Sequence, residues 1–518
     1  MNILQNLSIK AQEDGEKTAY KYKDYVVSYK MLDEQATKFA SGLQTLGVQK
    51  GDHVALLLNN SYHFIVSLYG VLRAGAVAVP INPLYTKSEI QYILQDSDVK
   101  TVISIDSLLN SLEREPYLKN IIVCPTERLA EADSFHVSKR LKGKVHTFTE
   151  VLHLLERTLL PVPIDGEDVA MILYTSGTTG KPKGAMLTHT NIYSNARDTS
   201  TYLNIAKADR IIAVLPMFHV FCLTVCINAP LIAGATILIL PKFSPSQVFS
   251  YVSAEKATIF AGVPTMYNFL CQYENGTREA LESLRLCVSG GSSMPGALLR
   301  EFEEKFQISI REGYGLSEAS PVTCFNPPRS NIQKEGSVGV SIVNVENKVV
   351  DGQGEEVPFG EIGELVVKGP NVMKGYYKLE EETRHIIKDG WLYTGDLARM
   401  DEDGYIYIVD RKKDLIIVGG YNVYPREVEE RLYEHKAVVE AAAIGEKDET
   451  YGEVVKAYVV TKKVVSEEEI LEFCKTHLAP YKVPRNIVFL DELPKNTTGK
   501  ILRRALKKKL SEEEATHL

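Results

Sequence analysis

The stretch HVALLLNNSYHFIVSLYGVLRAGAVAVPIN, residues 53–82, decides the fold class. It begins with a short apolar run, continues with apolar residues at helical spacing, and ends with a second apolar run rich in valine and alanine. This order predicts a strand, a helix and a second strand. Because two parallel strands need a crossover of this kind, the stretch predicts one unit of a parallel α/β sheet.

The same alternation recurs further along the chain. Short apolar runs stand at residues 99–105, 257–264 and 284–291, and the last two precede stretches with helical spacing. Alternating strands and helices are typical of layered α/β proteins. We therefore expect a layered α/β architecture for most of the chain.

The pattern changes twice towards the carboxyl end. Short alternating runs with glycine turns predict a β-rich subdomain over about residues 335–410. Beyond Arg411 the order helix, strand, strand, helix, strand predicts one small α+β domain. We place the boundary in the charged link DRKKD at 410–414, with a large N-terminal body over 1–410 and a small domain over 411–518.

The composition fits a globular protein and excludes several other classes. The chain has 518 residues, of which 44% are hydrophobic, so it is neither disordered nor fibrous. At roughly 100–200 residues per domain, this length predicts about two to four folding units. Since 59 Lys and Arg face 67 Asp and Glu, the net charge of −8 gives no electrostatic reason to bind nucleic acid. Any anionic ligand must be met by local cations.

Two further features bear on location. The seven cysteines show no C-x-x-C pair and the amino terminus is charged too early for a signal peptide, which together predict a cytoplasmic protein. Residues 211–241 contain no Asp, Glu, Lys or Arg, and a run of that length could span a bilayer. Because Pro216 and Pro230 interrupt the run, we expect a buried helix followed by a core strand, with no transmembrane span.

The strongest local signal is YTSGTTGKPKGA, residues 174–185, directly after the apolar run VAMIL. Its glycines permit a close approach of the backbone, its hydroxyls and N–H groups can surround phosphate oxygens, and Lys181 and Lys183 add positive charge. It is not a Walker motif, because its glycines are too close and Pro182 follows Lys181. By composition alone a flexible hairpin is an equal alternative, but the order and the flanks favour a phosphate site.

This stretch resembles the phosphate-binding signature of the adenylate-forming superfamily, which includes acyl-CoA synthetases, aryl-CoA ligases, peptide-adenylation domains and beetle luciferases. Further motifs follow in the family's order: LPMFH at 215–219, GYGLSE at 313–318, YTGD at 393–396, DRKKDLIIVGGYNVYPREVE at 410–429 and PKNTTGK at 494–500. The resemblance covers essentially the whole chain. The chain is most similar in texture to bacterial long-chain fatty acid CoA ligases.

The resemblance implies a set of residues that bind ATP and then AMP. They are Thr175, Ser176, Gly177, Thr178, Thr179, Gly180, Lys181, Lys183, Gly290, Gly291, Ser292, Glu312, Gly313, Tyr314, Gly315, Ser317, Asp396 and Arg411. In the family's pattern Tyr314 would stack on adenine, and Asp396 would accept hydrogen bonds from the ribose hydroxyls with help from Arg411. Thr175 and Glu318 would bind Mg²⁺. Without the resemblance, an aspartate in a tight turn is more simply a turn residue.

The same resemblance implies three catalytic residues, Lys500, His219 and Glu318. Lys500 matches the lysine of the adenylation step, whereas a lone lysine beside a basic tail would otherwise be a solvated surface charge. His219 borders the acyl and thioester site in the family, but a lone histidine in an apolar stretch is often a core residue, so both interpretations stay open. The cations that follow, Arg503, Arg504 and those at 507–509, are expected on the exposed face of a helix.

The remaining implied residues concern CoA, the acyl chain and the hinge. Gly419, Gly420 and Tyr421 would enter the active site for thioester formation and line the pantetheine tunnel, although some relatives carry Lys at the position of Ile417 and Glu at that of Tyr421. Val220, Phe221 and Gly262 would line the acyl pocket. Lys413 would be the pivot about which the small domain moves, with the hinge at about 410–414.

The implied reaction is that of an ATP-dependent fatty acid CoA ligase, which converts fatty acid, ATP and CoA into acyl-CoA, AMP and diphosphate through an acyl-adenylate, with Mg²⁺ as cofactor. The alternatives are a medium-chain or aryl-acid CoA ligase, or an adenylating enzyme that loads a carrier protein. With no carrier domain in the sequence and a complete GGYNVYP loop, we expect a free-standing long-chain enzyme. Peripheral membrane contact and a homodimer are left open.

Overall fold

The computed structural model describes residues 1–113, 115–125, 140–154, 160–175, 181–328, 333–496 and 500–508. The first elements in chain order are α1 (Ile3–Glu13), β1 (Thr18–Tyr22), β2 (Tyr25–Ser28), α2 (Tyr29–Thr45), β3 (His53–Leu57), α3 (Tyr62–Arg73), β4 (Val77–Pro80), α4 (Lys87–Asp96), β5 (Thr101–Ile105), α5 (Leu109–Leu112), β6 (Asn120–Cys124), β7 (Val145–Thr147), α6 (Phe148–His153), β8 (Val169–Thr175), β9 (Lys183–Thr188) and α7 (His189–Tyr202).

The middle of the chain continues the alternation. Its elements are β10 (Arg210–Ala213), α8 (Ala229–Ala233), β11 (Thr236–Ile239), α9 (Pro245–Glu255), β12 (Ile259–Gly262), α10 (Pro264–Gln272), β13 (Leu286–Ser289), α11 (Gly296–Phe306), β14 (Ile310–Gly315) and β15 (Val322–Phe325).

The remaining elements are mostly strands. They are β16 (Val340–Ser341), β17 (Glu346–Val350), β18 (Gly363–Lys368), β19 (Gly375–Tyr376), α12 (Glu380–Ile386), β20 (Ile387–Lys388), β21 (Trp391–Met400), β22 (Ile406–Arg411), β23 (Ile416–Val418), β24 (Tyr421–Val423), α13 (Pro425–Glu434), β25 (Val438–Asp448), β26 (Gly452–Thr461), α14 (Glu467–His477) and β27 (Asn486–Phe489).

The β3–α3–β4 unit forms as the sequence predicts. Helix α3 is apolar on nearly all sides and almost entirely buried, as expected for a helix inside a large core. Gly75 follows its end in the left-handed conformation at φ +78°, which a glycine adopts without strain and which turns the chain back. Strand β4 then pairs with β3 in parallel, with Ala78 opposite Val54.

Two large sheets make up the body. One has the order β16-β15-β14-β13-β12-β10-β11-β1-β2, and its strands from β14 to β1 run parallel. The other has the order β19-β9-β8-β4-β3-β5-β6-β7, with antiparallel pairs only at β19-β9 and β9-β8. A single apolar cluster includes residues of both sheets, such as Leu56 and Ile237, together with Phe39 of α2 and Phe64 of α3. The predicted layered α/β class is therefore confirmed.

Two smaller sheets follow in the sequence. The strands β17-β18-β21-β20, with β22 beside β21, form an antiparallel sheet between residues 346 and 411. Beyond it, β24-β23-β26-β25, with β27 beside β26, forms a separate sheet with its own apolar cluster. Helices α13 and α14 contribute Val428 and Ile470 to that cluster. After Arg411 the short strands β23 and β24 come first, and from α13 to β27 the order helix, strand, strand, helix, strand is the one predicted for the small α+β domain.

The charge-free run at 211–241 lies inside the body. Strand β10 begins it, a π-helical turn at Cys222–Asn228 leads into α8, and β11 ends it. The expectation of a buried helix followed by a core strand is confirmed. Among the described residues, no helix has both the length and the apolar character needed to cross a membrane.

Candidate active site

A cleft of about 1760 Å³ lies between the body and the small domain. Its floor is formed where β8, β13 and β14 end, and its other wall includes residues of α13 and of the segment from Lys500 onward. Ligands of open α/β sheets bind beyond the carboxyl ends of the strands, where successive loops diverge. The position of the cleft alone therefore makes it the candidate active site.

Most of the residues predicted for the site line this cleft. They are Lys500, His219, Glu318, Thr175, Lys183, Gly290, Gly291, Ser292, Glu312, Gly313, Tyr314, Gly315, Ser317, Asp396, Arg411, Lys413, Val220 and Phe221. These residues come from motifs that are far apart in sequence, and the fold brings them together around one cleft.

Other predicted residues lie elsewhere or outside the described residues. Lys181 is exposed just outside the cleft, and Gly262 is buried with its Cα facing the rings of Phe260 and Tyr267 in the core. The glycines and Tyr421 of the predicted CoA loop are exposed on the small domain and do not line the cleft. Ser176, Gly177, Thr178, Thr179 and Gly180 fall outside the described residues.

Asp396 stands at the centre of one polar group. The pairing of β21 with β22 sets Asp396 directly opposite Arg411, and the Arg411 Nε lies 3.6 Å from the Asp396 Oδ1. The hydroxyl of Tyr314, at the end of β14, donates to the Asp396 Oδ2. Burial and the neighbouring Asp396 charge raise the pKa of Tyr314, so the phenol stays a donor. A carboxylate oriented in this way can accept hydrogen bonds from a pair of hydroxyls.

Glu318 belongs to a second group, which includes a tyrosine that the sequence analysis missed. The Tyr376 hydroxyl donates to the Glu318 Oε1 at 2.8 Å. The Lys183 ammonium lies 5.5 Å from the centre of the Tyr376 ring and pairs with Glu382 of α12. Strand β19 pairs with β9 beside the phosphate-type loop, which places Tyr376 opposite Ala185. The strand pairing reveals Tyr376 and the ion pair with Lys183 reveals Glu382, since neither residue lies in a motif quoted above.

Lys500 reaches the Asp396 group from the small domain. Burial and, to a smaller extent, the positive charge of Arg411 lower the pKa of its ammonium to about 8, although the negative charge of Asp396 opposes both. Its backbone N–H donates to the Asn496 Oδ1 at 2.9 Å, which fixes the start of its segment. A lysine with this pKa is still largely protonated at neutral pH and can offset negative charge in the cleft.

His219 lies on the cleft wall near Lys500, not in the core. Burial lowers its pKa to about 4, and the charge of Lys500 adds to this effect. Its Nδ1 accepts from the backbone N–H of Phe221 at 3.2 Å, so the neutral ring carries its proton on Nε2. That geometry suits a neutral hydrogen-bond donor better than a cation.

Glu312 is a buried carboxyl at the boundary with the small domain. Its Oε1 accepts from the Met294 N–H at 3.0 Å. Burial raises its pKa to about 7; the Arg426 charge on α13 opposes this shift and the Glu430 charge adds to it. The small domain therefore contributes directly to the electrostatics at the end of β14.

Arg503 departs from the sequence expectation. The prediction that it lies on an exposed helix face is wrong, because its side chain is only 23% exposed and it pairs with Glu429 at 2.6 Å. Arg504 and Lys508 are exposed as expected, Lys507 is half-buried, and residue 509 falls outside the described residues. Because Glu429 lies on another helix and is distant in sequence, the run of basic residues alone could not predict this ion pair.

Two protein-family sequence profiles together match most of the chain. The profile of the AMP-binding enzyme covers residues 7–377, and that of the AMP-binding enzyme C-terminal domain covers residues 427–500. The fold and the cleft thus define a protein of the adenylate-forming class. The chain belongs to the AMP-binding enzyme family.

Individual relatives align with this chain over almost its whole length. A long-chain-fatty-acid–CoA ligase of Bacillus subtilis (strain 168) is 40% identical, over 97% of this chain and 93% of the relative. The anthranilate CoA ligase AuaEII, solved with anthranoyl-AMP, is 30% identical with a TM-score of 0.90, over 99% of this chain and 98% of the other. MatB from Rhodopseudomonas palustris, 32% identical, has a TM-score of 0.88 with ATP bound, over 98% of this chain and 99% of the other. For apo MatB the TM-score is 0.78, over 99% of each chain.

Proposed function

We propose that the chain is an ATP-dependent fatty acid CoA ligase that prefers long-chain acids. It joins a fatty acid to AMP, releases diphosphate, and then transfers the acyl group to the thiol of CoA with release of AMP. The observation that carries the proposal is the meeting of Lys500 from the small domain with Asp396, Tyr314 and His219 of the body in one cleft. The name of the Bacillus subtilis relative supports the long-chain substrate.

The nucleotide would lie along the strand ends. The Tyr314 ring and the open backbone at 290–292 offer a site for adenine, and the Asp396 carboxylate suits the two ribose hydroxyls. Lys183 would exchange its contact with Glu382 for the departing diphosphate. Since Lys183 is half-buried, that exchange replaces one charge-assisted contact by another and leaves no unpaired cation.

Mg²⁺ fits the donors that the cleft supplies. Glu318 and the Thr175 hydroxyl would hold it, and the described residues contain no group of three or more His, Cys, Asp or Glu side chains placed to bind a metal ion. A site with few protein ligands suits Mg²⁺, which usually keeps waters and substrate phosphates in its shell. The ion supplies neutralisation of phosphate charge when bound.

The chain's own residues account for the rest of the first step. The fatty carboxylate would attack the α-phosphorus of ATP, and the Lys500 ammonium, which lines the cleft, would offset the negative charge that develops on the phosphoryl oxygens. His219, with its Nε2 proton, stands on the wall where the acyl group would enter, next to Val220 and Phe221. The buried run 211–241 would form part of the wall for the alkyl chain.

The second step needs another pose of the small domain. Tyr421 is 62% exposed, and neither it nor Gly419 and Gly420 line the cleft in the present pose. Rotation about the hinge at 410–414, with Lys413 as pivot, would move Lys500 out and this loop in. The higher TM-score with ATP-bound than with apo MatB supports assigning the present pose to the first step.

The proposal extends to the organisation and location of the protein. We place the domains at 1–410 and 411–518, and the protein in the cytoplasm, where its seven free and buried cysteines would stay reduced. A homodimer and peripheral contact with a membrane, from which fatty acid could be collected, complete the proposal.

The test is a set of initial rates of AMP release with saturated acids of increasing chain length and with a cinnamate. We expect release to require both the acid and free CoA, and to be fastest with long saturated acids. Preference for the cinnamate would make the protein an aryl-acid ligase. Acid-dependent exchange of diphosphate into ATP with no release of AMP on addition of CoA would contradict the ligase and favour an enzyme that loads a carrier.

A further inference from the structure

Arg503 lies three residues beyond Lys500 and meets three carboxylates. Its Nη2 and Nε donate to the two oxygens of Glu429 at 2.6 and 3.1 Å. Its Nη1 faces Asp410 at 3.7 Å and Asp414 at 3.6 Å. Burial alone would lower the pKa of the guanidinium, but Glu429 and Asp410 outweigh it and raise the pKa, so the charge is fixed.

The three carboxylates stand on different sides of the proposed hinge. Asp410 is at the end of β22, within a sheet of the body, whereas Glu429 lies on α13 of the small domain. Glu429 is itself anchored in the small domain, because its Oε1 accepts from the Ala443 N–H at 2.8 Å. Arg503 is therefore held by the small domain while one nitrogen reaches the body.

Asp410 receives a second contact from the small domain. Its Oδ2 accepts from the Arg426 backbone N–H at 2.8 Å, and the Arg426 side chain donates to the Ile408 carbonyl at 2.5 Å. Asp410 is only 5% exposed. Since a buried carboxylate is stable only when paired, a rotation about Lys413 that separated Arg503 from Asp410 would leave this charge without its cation.

We propose that Arg503 is a positioning residue for the first half-reaction, holding Lys500 in the cleft by pairing with Asp410 across the hinge. The inference rests on the proposed function, since it assigns the present pose to acyl-adenylate formation. Loss of the pair would make this pose less populated while keeping every side chain that touches the substrates; removal of the Arg503 charge would also relieve a repulsion that lowers the pKa of Lys500, and so would favour its charged form. The second half-reaction, which uses the other pose, does not depend on the pair.

The test compares both half-reactions in Arg503→Ala. Carboxylate-dependent exchange of diphosphate into ATP measures the first, and CoA ligation from supplied acyl-AMP measures the second. We expect the first rate to fall at least about tenfold, the change produced by a modest shift between two poses, and the second to stay within about twofold or rise. Arg431→Ala is the matched control, because Arg431 forms an exposed pair with Glu434 on the same domain. A comparable fall in both half-reactions, or no fall in either, would overturn the inference.

A second variant changes Asp410, the partner of Arg503 that belongs to the body. Asp410→Asn keeps the size of the side chain and removes its charge, so it should repeat the split even if Arg503→Ala does not fold. Limited trypsin digestion with ATP present gives an independent readout, since Lys412 and Lys413 lie in the hinge. In Asp410→Asn, which keeps every trypsin site, we expect faster cleavage at Lys412 and Lys413 with an otherwise unchanged pattern. Hinge cleavage at the wild-type rate would count against the inference. Wild-type protein that makes no acyl-CoA would instead refute the proposed function.

Discussion

Two carboxylates in the cleft are each oriented by a tyrosine hydroxyl. Tyr314 donates to Asp396, and Tyr376 donates to Glu318 at 2.8 Å. A hydrogen bond to a charged group in a partly buried site is worth about 1.5–3 kcal/mol, which is more than an ordinary exposed contact. The direction in which each carboxylate points is therefore set by a neighbour that does not itself react.

Tyr376→Phe should impair the proposed Mg²⁺ site while leaving the fold intact. Without its donor, Glu318 loses its fixed orientation, and we expect the Mg²⁺ concentration that gives half-maximal acyl-adenylate formation to rise about tenfold. Tyr377→Phe is the control, because that neighbouring hydroxyl donates to Asp98 at the surface. Equal effects of the two substitutions would show that Tyr376 does not orient Glu318.

The pKa of Lys500 predicts a pH dependence of the first step. Because burial lowers this pKa to about 8, the charged form is lost as pH rises through 8. We expect kcat/KM for ATP to fall about tenfold per pH unit above that value. In Lys500→Arg the cation persists, so the remaining activity should lack this alkaline decline. An unchanged decline in Lys500→Arg would assign it to another group.

At the scale of elements, the sequence predicted much of the framework. The strands β3 and β4 and the strand at Leu286–Ser289 were predicted from short apolar runs, which are typical of buried strands, and α3 was predicted from apolar residues at helical spacing. The π-helical turn at Cys222–Asn228 was not, because apolar periodicity does not distinguish one hydrogen-bonding pattern of a buried helix from another.

The candidate site was likewise predicted in part from the sequence. The motifs identified Asp396, Glu318 and Lys500, each of which lines the cleft. Tyr376 and Arg503 were missed or misplaced because their partners are distant in sequence, and only the pairing of β19 with β9 and the packing of α13 bring them together.

The burial of Glu312 on β14 predicts a pH dependence of the free energy of unfolding. Burial raises the pKa of Glu312 from near 4.5 to about 7. Between these values the folded chain keeps a proton that the unfolded chain releases, so the free energy of unfolding falls as pH rises through this window. Glu312→Gln removes this dependence. Relative to wild type, the variant should gain up to about 3 kcal/mol between pH 4.5 and pH 8.

Urea unfolding at the two pH values measures this difference. Glu304→Gln is the control, because it makes the same chemical change at an exposed carboxyl on α11. A Glu312→Gln variant whose stability relative to wild type is independent of pH would contradict the assigned pKa shift.

At the scale of the whole molecule, one cleft must serve two reactions. Residues 412–414 form a single helical turn between the body and the small domain, and Lys412 pairs with Glu364 at 3.0 Å. Because Glu364 also accepts from the Gly395 N–H at 3.1 Å, the turn before Asp396 is connected to the proposed hinge. Although the chain is acidic overall, the cleft is lined by the cations Lys183, Arg411 and Lys500, which we propose meet the anionic substrates.

Lys413→Pro should slow the second half-reaction more than the first. Proline fixes φ near −65°, a value within the range of the helical turn seen here, so the present pose is kept while rotation is hindered. Diphosphate exchange and ligation from supplied acyl-AMP measure the two steps. Lys413→Ala, which leaves φ free, is the control. If both rates fall together in Lys413→Pro, the pivot lies elsewhere.

The central claim is that Lys500 serves the first half-reaction and leaves before the second. The most direct measurement is the rate of each half-reaction in Lys500→Ala, with Lys475→Ala, an exposed lysine of the same domain, as control. We expect acyl-adenylate formation to fall by at least about a hundredfold, because a preorganised cation opposite the developing charge is lost. Thioester formation from supplied acyl-AMP should remain close to wild type, whereas comparable losses in both steps would contradict the account.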